Sequence, residues 1–134
     1  MKFKLALMAL LLVTVPVFSQ FDMKVLDASV AASQDKIVQG QEFKLAIILD
    51  IKPTLHINSN KPLSEFFIPT DVTFNSVSNL SFGQPIFPAP KLKTFSFSDD
   101  KVAIYEGKVV IVVPVSTSPL LDVAPQTITG VVSY

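Results

Sequence analysis

Residues 41–51 read QEFKLAIILDI, with Phe43, Leu45, Ile47, Leu49 and Ile51 at alternate positions and Glu42, Lys44 and Asp50 between them. Successive side chains of an extended chain point to opposite faces, so this stretch predicts a strand with one face on a core. Gly40 supplies the turn before it. Proline recurs at 53, 62, 69, 85, 88, 90, 114, 119 and 125, which leaves few windows long enough for a helix. The rest of the chain is therefore read as strands too.

A first strand is expected from about Lys24 to Ala32. In TLHINS (residues 54–59), Leu55, Ile57 and Ser59 alternate with His56 and Asn58. IPTDVTFNSV and LSFGQPIF give two more strands broken by turn residues. After a loop rich in Pro, Lys, Ser and Asp, KVAIYEGKVVIVVPV (residues 101–115) reads as a hairpin turning at Glu106 and Gly107. Its second strand is the most continuously apolar in the chain, as expected of a strand central in its sheet or covered on both faces. Gln126–Tyr134 puts Ile128, Val132 and Tyr134 on one face. Seven or so short strands at intervals of about 8 to 15 residues predict an all-β sandwich, with a closed barrel as the alternative.

The chain has 134 residues, 49% of them hydrophobic and 16% charged, enough for one packed domain. Residues 1–19 are set apart: Lys2 and Lys4 precede an uncharged apolar run from Leu5 to Val17, the layout of a secretory signal peptide. That run is short of the ~20 residues that span a bilayer, which disfavours the alternative of a permanent transmembrane helix. The expected boundaries are a signal peptide at 1–19 and the sandwich at 20–134. Without Lys2 and Lys4, 9 basic residues face 11 acidic ones, with no basic stripe, so nucleic acid and anionic membrane are not expected partners. An exported domain of about 115 residues can be held by burial alone, so the lack of cysteine is no stability paradox.

The usual catalytic sets are missing. His56 is the one histidine, and no serine stands in a nucleophile-elbow context. Methionine occurs only at 1, 8 and 23 and cysteine nowhere, so no zinc or copper donor set is expected. Calcium at Asp99, Asp100 and Glu106 is weighed against a solvated turn, which is the preferred reading. Asn79–Ser81 matches the short glycosylation acceptor pattern, too common to carry weight. KLKTFSFSDDK (residues 91–101) is more informative. Phe95 and Phe97 alternate with small polar residues in a charged stretch: an ordinary strand would put both rings in the core, whereas a loop would leave them exposed to cover or bind something.

Taken in order, VQGQEFKLAIILDIKPTLHINSNKP, FIPTDVTF, FPAPKLKTFSFSDD, YEGKVVIVVPV and ITGVVSY resemble the N-terminal domain of the bacterial thiol:disulfide interchange protein family DsbD, over roughly Lys24 to Tyr134. The resemblance implies an immunoglobulin-like domain in the bacterial periplasm that exchanges thiols and disulfides without a cofactor. Its implied partners are a membrane redox domain of the same pathway, acting through a thioredoxin-like domain, and the periplasmic acceptors that it reduces. Those acceptors are disulfide isomerases and the thioredoxin-like protein of cytochrome c maturation. Downstream segments would tether the domain to the membrane.

In the family the strand matching GVVSY continues as Y-Q-x-C, with a second cysteine several residues later. This chain holds neither sulfur and is inactive in exchange as it stands, so the expectation is that the pair lies just beyond Tyr134. A chain that kept the fold for binding alone is the other possibility. The family's lid over the cysteine pair aligns with Thr94–Asp100, which makes Phe95 or Phe97 the candidate cap. The strand matching LHINS lies near the pair, which nominates His56 and Asn58, with Tyr134 leading into it. The competing reading from another class is a non-catalytic secreted β-sandwich that binds proteins through its edge strands or its Phe95/Phe97 loop.

Overall fold

The computed structural model describes residues 24–96 and 98–134. The expected signal peptide and Phe97 lie outside the described residues. Nine strands and no helix occur among those described: β1 (Leu26–Ala32), β2 (Glu42–Ile51), β3 (Ile57–Asn58), β4 (Asp71–Phe74), β5 (Leu80–Phe82), β6 (Lys91–Phe95), β7 (Ser98–Tyr105), β8 (Lys108–Thr117) and β9 (Gly130–Ser133). Every pairing is antiparallel. One sheet has the order β1-β2-β8-β5; opposite it stand β3-β7-β6 and the pair β4-β9. The fold is all-β and consistent with an immunoglobulin-like sandwich.

The stretch that opened the sequence reading is β2. Phe43, Leu45, Ile47, Leu49 and Ile51 are buried, and Val109, Ile111, Val113 and Val115 of β8 join them in one core. Ile57, Val72 and Tyr105 reach that core from the opposite strands, which is what makes the sheets two layers of one sandwich. β8 is central in its sheet, as expected, but it is covered on one face only: Val110 is 41% exposed. Phe74 and Phe82 stack across the layers at 4.4 Å with their planes 5° apart.

Two expectations fail. Glu106 and Gly107 do not turn a hairpin, because β7 pairs with β3 and β6 while β8 pairs with β2 and β5. Each strand already has both edges occupied, so the chain crosses between layers instead, and Gly107 takes the left-handed φ of +64° that the crossing requires. The stretch before Lys101 is not a loop. Lys91–Phe95 is a strand, and β6 and β7 form the hairpin, with a register shift between Thr94 and Phe95 at its tip.

Pro114 sits inside a central strand, where a missing N–H would break a ladder. The neighbouring strand leaves at that point. β5 ends at Phe82, the Gly83 amide donates to the Pro114 carbonyl at 2.7 Å, and pairing resumes only with Ile86 and Val112. A Cβ on Gly83 would lie 3.3 Å from that carbonyl oxygen, so the two breakers face each other closely.

At the other edge, β1 covers little: Leu26 is buried but Val30 is 63% exposed. Between β1 and β9 lies an apolar cleft of about 330 Å³ whose lining includes Val30, Ile47, Phe74, Ile128, Val132 and Tyr134. Ile128, Val132 and Tyr134, which the sequence pattern puts on one face, all line this cleft, and Val131 lines it with them.

Because β8 is covered on one face, its two kinds of position should differ sharply in cost. Ile111→Ala is expected to destabilise the fold by about 2–5 kcal/mol, and Val110→Ala by about 0.5 kcal/mol or less. Urea titration of both variants against the parent checks this.

Candidate functional site

The register of the second layer sorts its side chains by face. Ile57 pairs with Tyr105 and both enter the core. Asn58 pairs with Ile104, Lys91 pairs with Ile104 from the other side, and Lys93 pairs with Val102. Directly paired residues share a face, so Asn58, Ile104, Val102, Lys91 and Lys93 all belong to the outer face. Ile104 is nonetheless 0% exposed. It stands in the middle strand of its sheet, with Asn58 paired on one side and Lys91 on the other.

His56 and Phe95 meet on this layer. The turn at Pro53 and Thr54, with Thr54 at φ 69°, delivers His56 to the start of β3 as an exposed side chain. The imidazole stacks on the Phe95 ring with centroids 4.7 Å apart and planes inclined by 27°. Phe95 is half-buried rather than free, so neither simple expectation for KLKTFSFSDDK describes it: the ring is in a strand and outside the core, resting on a histidine 39 positions earlier in the chain.

Asn58 is half-buried and committed. Its Nδ2 donates to the Ile68 carbonyl at 2.9 Å, and its own carbonyl accepts from Thr70 Oγ1 at 2.6 Å. The Thr70 amide also donates to the Ser59 carbonyl at 3.1 Å. Thr70 leads directly into β4, where Asp71 pairs with Ser133 of β9. The backbone therefore leaves β9 beside the residue that is bonded to Asn58. Tyr134 itself is 45% exposed and lines the cleft next to β1, apart from the His56–Phe95 stack.

Glu106 follows β7 and takes ion pairs from two lysines of β6: Lys91 Nζ at 3.2 Å, and Lys93. The Lys93 and Lys91 ammoniums hold its carboxyl below the usual carboxylate range. This carboxylate is engaged by lysines and does not converge with Asp99 and Asp100; among the described residues no three His, Cys, Asp or Glu side chains are grouped as a metal site would need.

One anchoring residue escaped the sequence reading. Tyr105 is buried, and its hydroxyl lies 2.7 Å from Asn60 Oδ1 and 3.0 Å from the Pro88 carbonyl. It ties the segment after β3 to the segment before β6, and Phe87 lies parallel to its ring at 6.5 Å. The available signal was a tyrosine at an inward position of a strand, whose hydroxyl needs a partner once buried. Burial raises its pKa.

A family model described as "Thiol:disulfide interchange protein DsbD, N-terminal" matches residues 22–134. No curated protein and no solved structure matches the chain.

The raised pKa of Tyr105 has a signed consequence. Below the unfolded value of ~10 both states keep the phenol proton and the contribution to stability is complete. Above it the unfolded chain ionises first, so stability falls with rising pH. The parent protein is expected to lose this component above about pH 10, whereas Tyr105→Phe lacks it and starts from a lower stability at neutral pH. Denaturation midpoints of both proteins across the alkaline range check the difference.

Proposed function

The chain belongs to the family of the N-terminal domain of the thiol:disulfide interchange protein DsbD, and on that premise we propose that it is the scaffold of a periplasmic thiol–disulfide relay. In this reading residues 1–19 direct export, and residues 20–134 form the sandwich that presents the redox pair. The chain contains no cysteine, so the pair is taken to lie in the residues that the family pattern expects after Tyr134. Electrons arrive from a membrane redox domain of the same pathway and leave to periplasmic thioredoxin-like proteins and disulfide isomerases.

The chemistry is balanced within the two sulfur pairs. A thiolate of the domain attacks the acceptor's disulfide, forming one mixed disulfide and releasing one acceptor thiolate. The domain's second thiol then attacks the mixed disulfide, leaving the domain oxidised and the acceptor reduced by two electrons. No cofactor is needed. The residues described here serve this chemistry by shape. The β6–β7 hairpin shields the pair, with Phe95 as its side chain anchored on His56, and Asn58 stands on β3, the strand paired with β7.

The observation that carries the reading is the route of the backbone. β9 ends beside Thr70, Thr70 is bonded to Asn58, and the hairpin that aligns with the family's lid reaches the same strand through the Phe95–His56 stack. Residues following Tyr134 would therefore emerge next to the segment that is bonded to Asn58.

A second reading rests on a different feature. Phe66 is 88% exposed, with Leu63 at 60% and Ile68 at 67% in the same loop, and large apolar side chains exposed together in one loop favour a protein-binding site. In this reading the domain binds a partner without exchanging sulfur, and the loop, rather than the Phe95 hairpin, makes the contact.

Trapping separates the two. The full gene product is expected to form a mixed disulfide with a resolving-cysteine variant of a periplasmic thioredoxin-like protein, and to lose it when its own first cysteine is changed to serine. A gene with no cysteine pair after Tyr134 overturns the relay. Under reducing conditions, binding of the same protein that persists without cysteines and drops at least tenfold on Phe66→Ser supports the second reading.

A further inference from the structure

The outward positions of the larger sheet are not those of a face that meets water. An antiparallel sheet solvated on one side carries polar residues there. Here Ala46 and Ile48 of β2 stand opposite Val112 and Val110 of β8, Ala31 of β1 stands opposite Ala46, and Ile86 stands opposite Val112. Paired residues share a face, so these side chains form one apolar band across the sheet, with Val110 41% and Ile86 57% exposed. Charge is kept to the ends of the band. Asp50 pairs with Lys108 at one end, and Glu42 and Lys44 stand opposite Ser116 and Pro114 at the other. Asp27, beside Asp50, is taken by Lys24. Among the described residues neither Asp50 nor Lys108 is in an ion pair.

We propose that this band is the contact face of a homodimer, with a second copy of the chain packed against it. The order of side chains along the ladder selects that occupant. A two-fold axis running along the ladder between β2 and β8 sets β2 of each copy over β8 of the other, and β1 over the segment at Ile86. Asp50 of each copy then faces Lys108 of the other, so two ion pairs close together, as a self-complementary contact requires. In the band itself Ala46 faces Val112 and Ala31 faces Ile86, small side chains against large ones, while Ile48 faces Val110. Strand rise and spacing give this sheet a face on the order of 500 Å². Two copies therefore bury on the order of 1,000 Å², the lower bound for a specific association, and the dimer is weak and concentration-dependent. Each second layer lies on the outside of the pair, which leaves His56, Phe95 and the end of β9 accessible in both copies. The dimer does not depend on the relay reading.

Light scattering from the full gene product reads the association as mass. The mass is expected to double between about 1 μM and about 1 mM protein, a range that brackets a contact of this size. Val110→Lys and Ile86→Lys, both at exposed positions, should hold the mass of one copy throughout. Asp50→Lys sets lysine over Lys108 twice and should weaken association about two- to thirtyfold, the range open to two exposed ion pairs. Adding Lys108→Asp to it should restore the parental affinity. Circular dichroism at the lowest concentration, where every variant is a single copy, confirms that each is folded. A parent that remains a single copy at the highest concentration overturns the proposal. A mass that doubles equally in folded Val110→Lys and Ile86→Lys removes this face as the interface, and a double swap that associates no better than Asp50→Lys alone rules out the two-fold arrangement.

Discussion

The pairing of β2 with β8 is the interaction on which the rest of the molecule depends. It runs without interruption from Glu42↔Ser116 to Asp50↔Lys108, and its inner face supplies most of the fully buried side chains. A ladder of this length fixes register strongly, because a slip of one residue would turn every buried valine and leucine of the pair toward water. Register in turn fixes where the chain can leave the sheet. It exits β8 upstream at Gly107 and exits β2 downstream at Pro53 and Thr54, both at the same end of the ladder.

The second layer inherits its position from those exits. Gly107 delivers β7 and the turn at Thr54 delivers β3, so the two strands meet as neighbours at that end and carry His56 and Glu106 close to their entry points. β6 is then added on the far side of β7, with no side chain of its own fully buried. The result is a gradient of packing within one domain, from a ladder buried on its inner face to an edge strand held by its pairing with β7. Local opening is governed by the weaker end of such a gradient, and in this fold the candidate site lies at that end.

What the sequence discloses follows the same gradient. β2 and β8 are legible because burial on one face imposes a period of two, and nothing in either strand contradicts it. β6 is illegible for the opposite reason: Lys91, Leu92, Lys93 and Thr94 are exposed, so no burial pattern marks the strand. The supposed β7–β8 hairpin shows a second limit. Two adjacent apolar strands joined by Glu-Gly look like a hairpin, and only the occupancy of their edges by β3, β6, β2 and β5 reveals that they lie in different layers. The family resemblance nominated Phe95 and His56 separately, but their contact spans 39 positions and depends on how the hairpin bends, which no local pattern encodes. Tyr105 was missed because its role is to join two loops, each of which had to be placed first.

The confrontation of Pro114 with Gly83 also divides the two rims of the larger sheet. On the β5 side, the outermost strand is three residues long and ends where its neighbour offers no amide, so a foreign strand finds no continuous row of hydrogen-bonding groups to copy. On the β1 side the rim is seven residues long, free of proline, and bears one charge, Asp27. Of the two rims of this sheet, polymerisation by strand addition at high concentration would therefore favour the β1 side. A lysine at Ser29 or Ala31, whose side chains point away from the cleft, is the economical place for a gatekeeper.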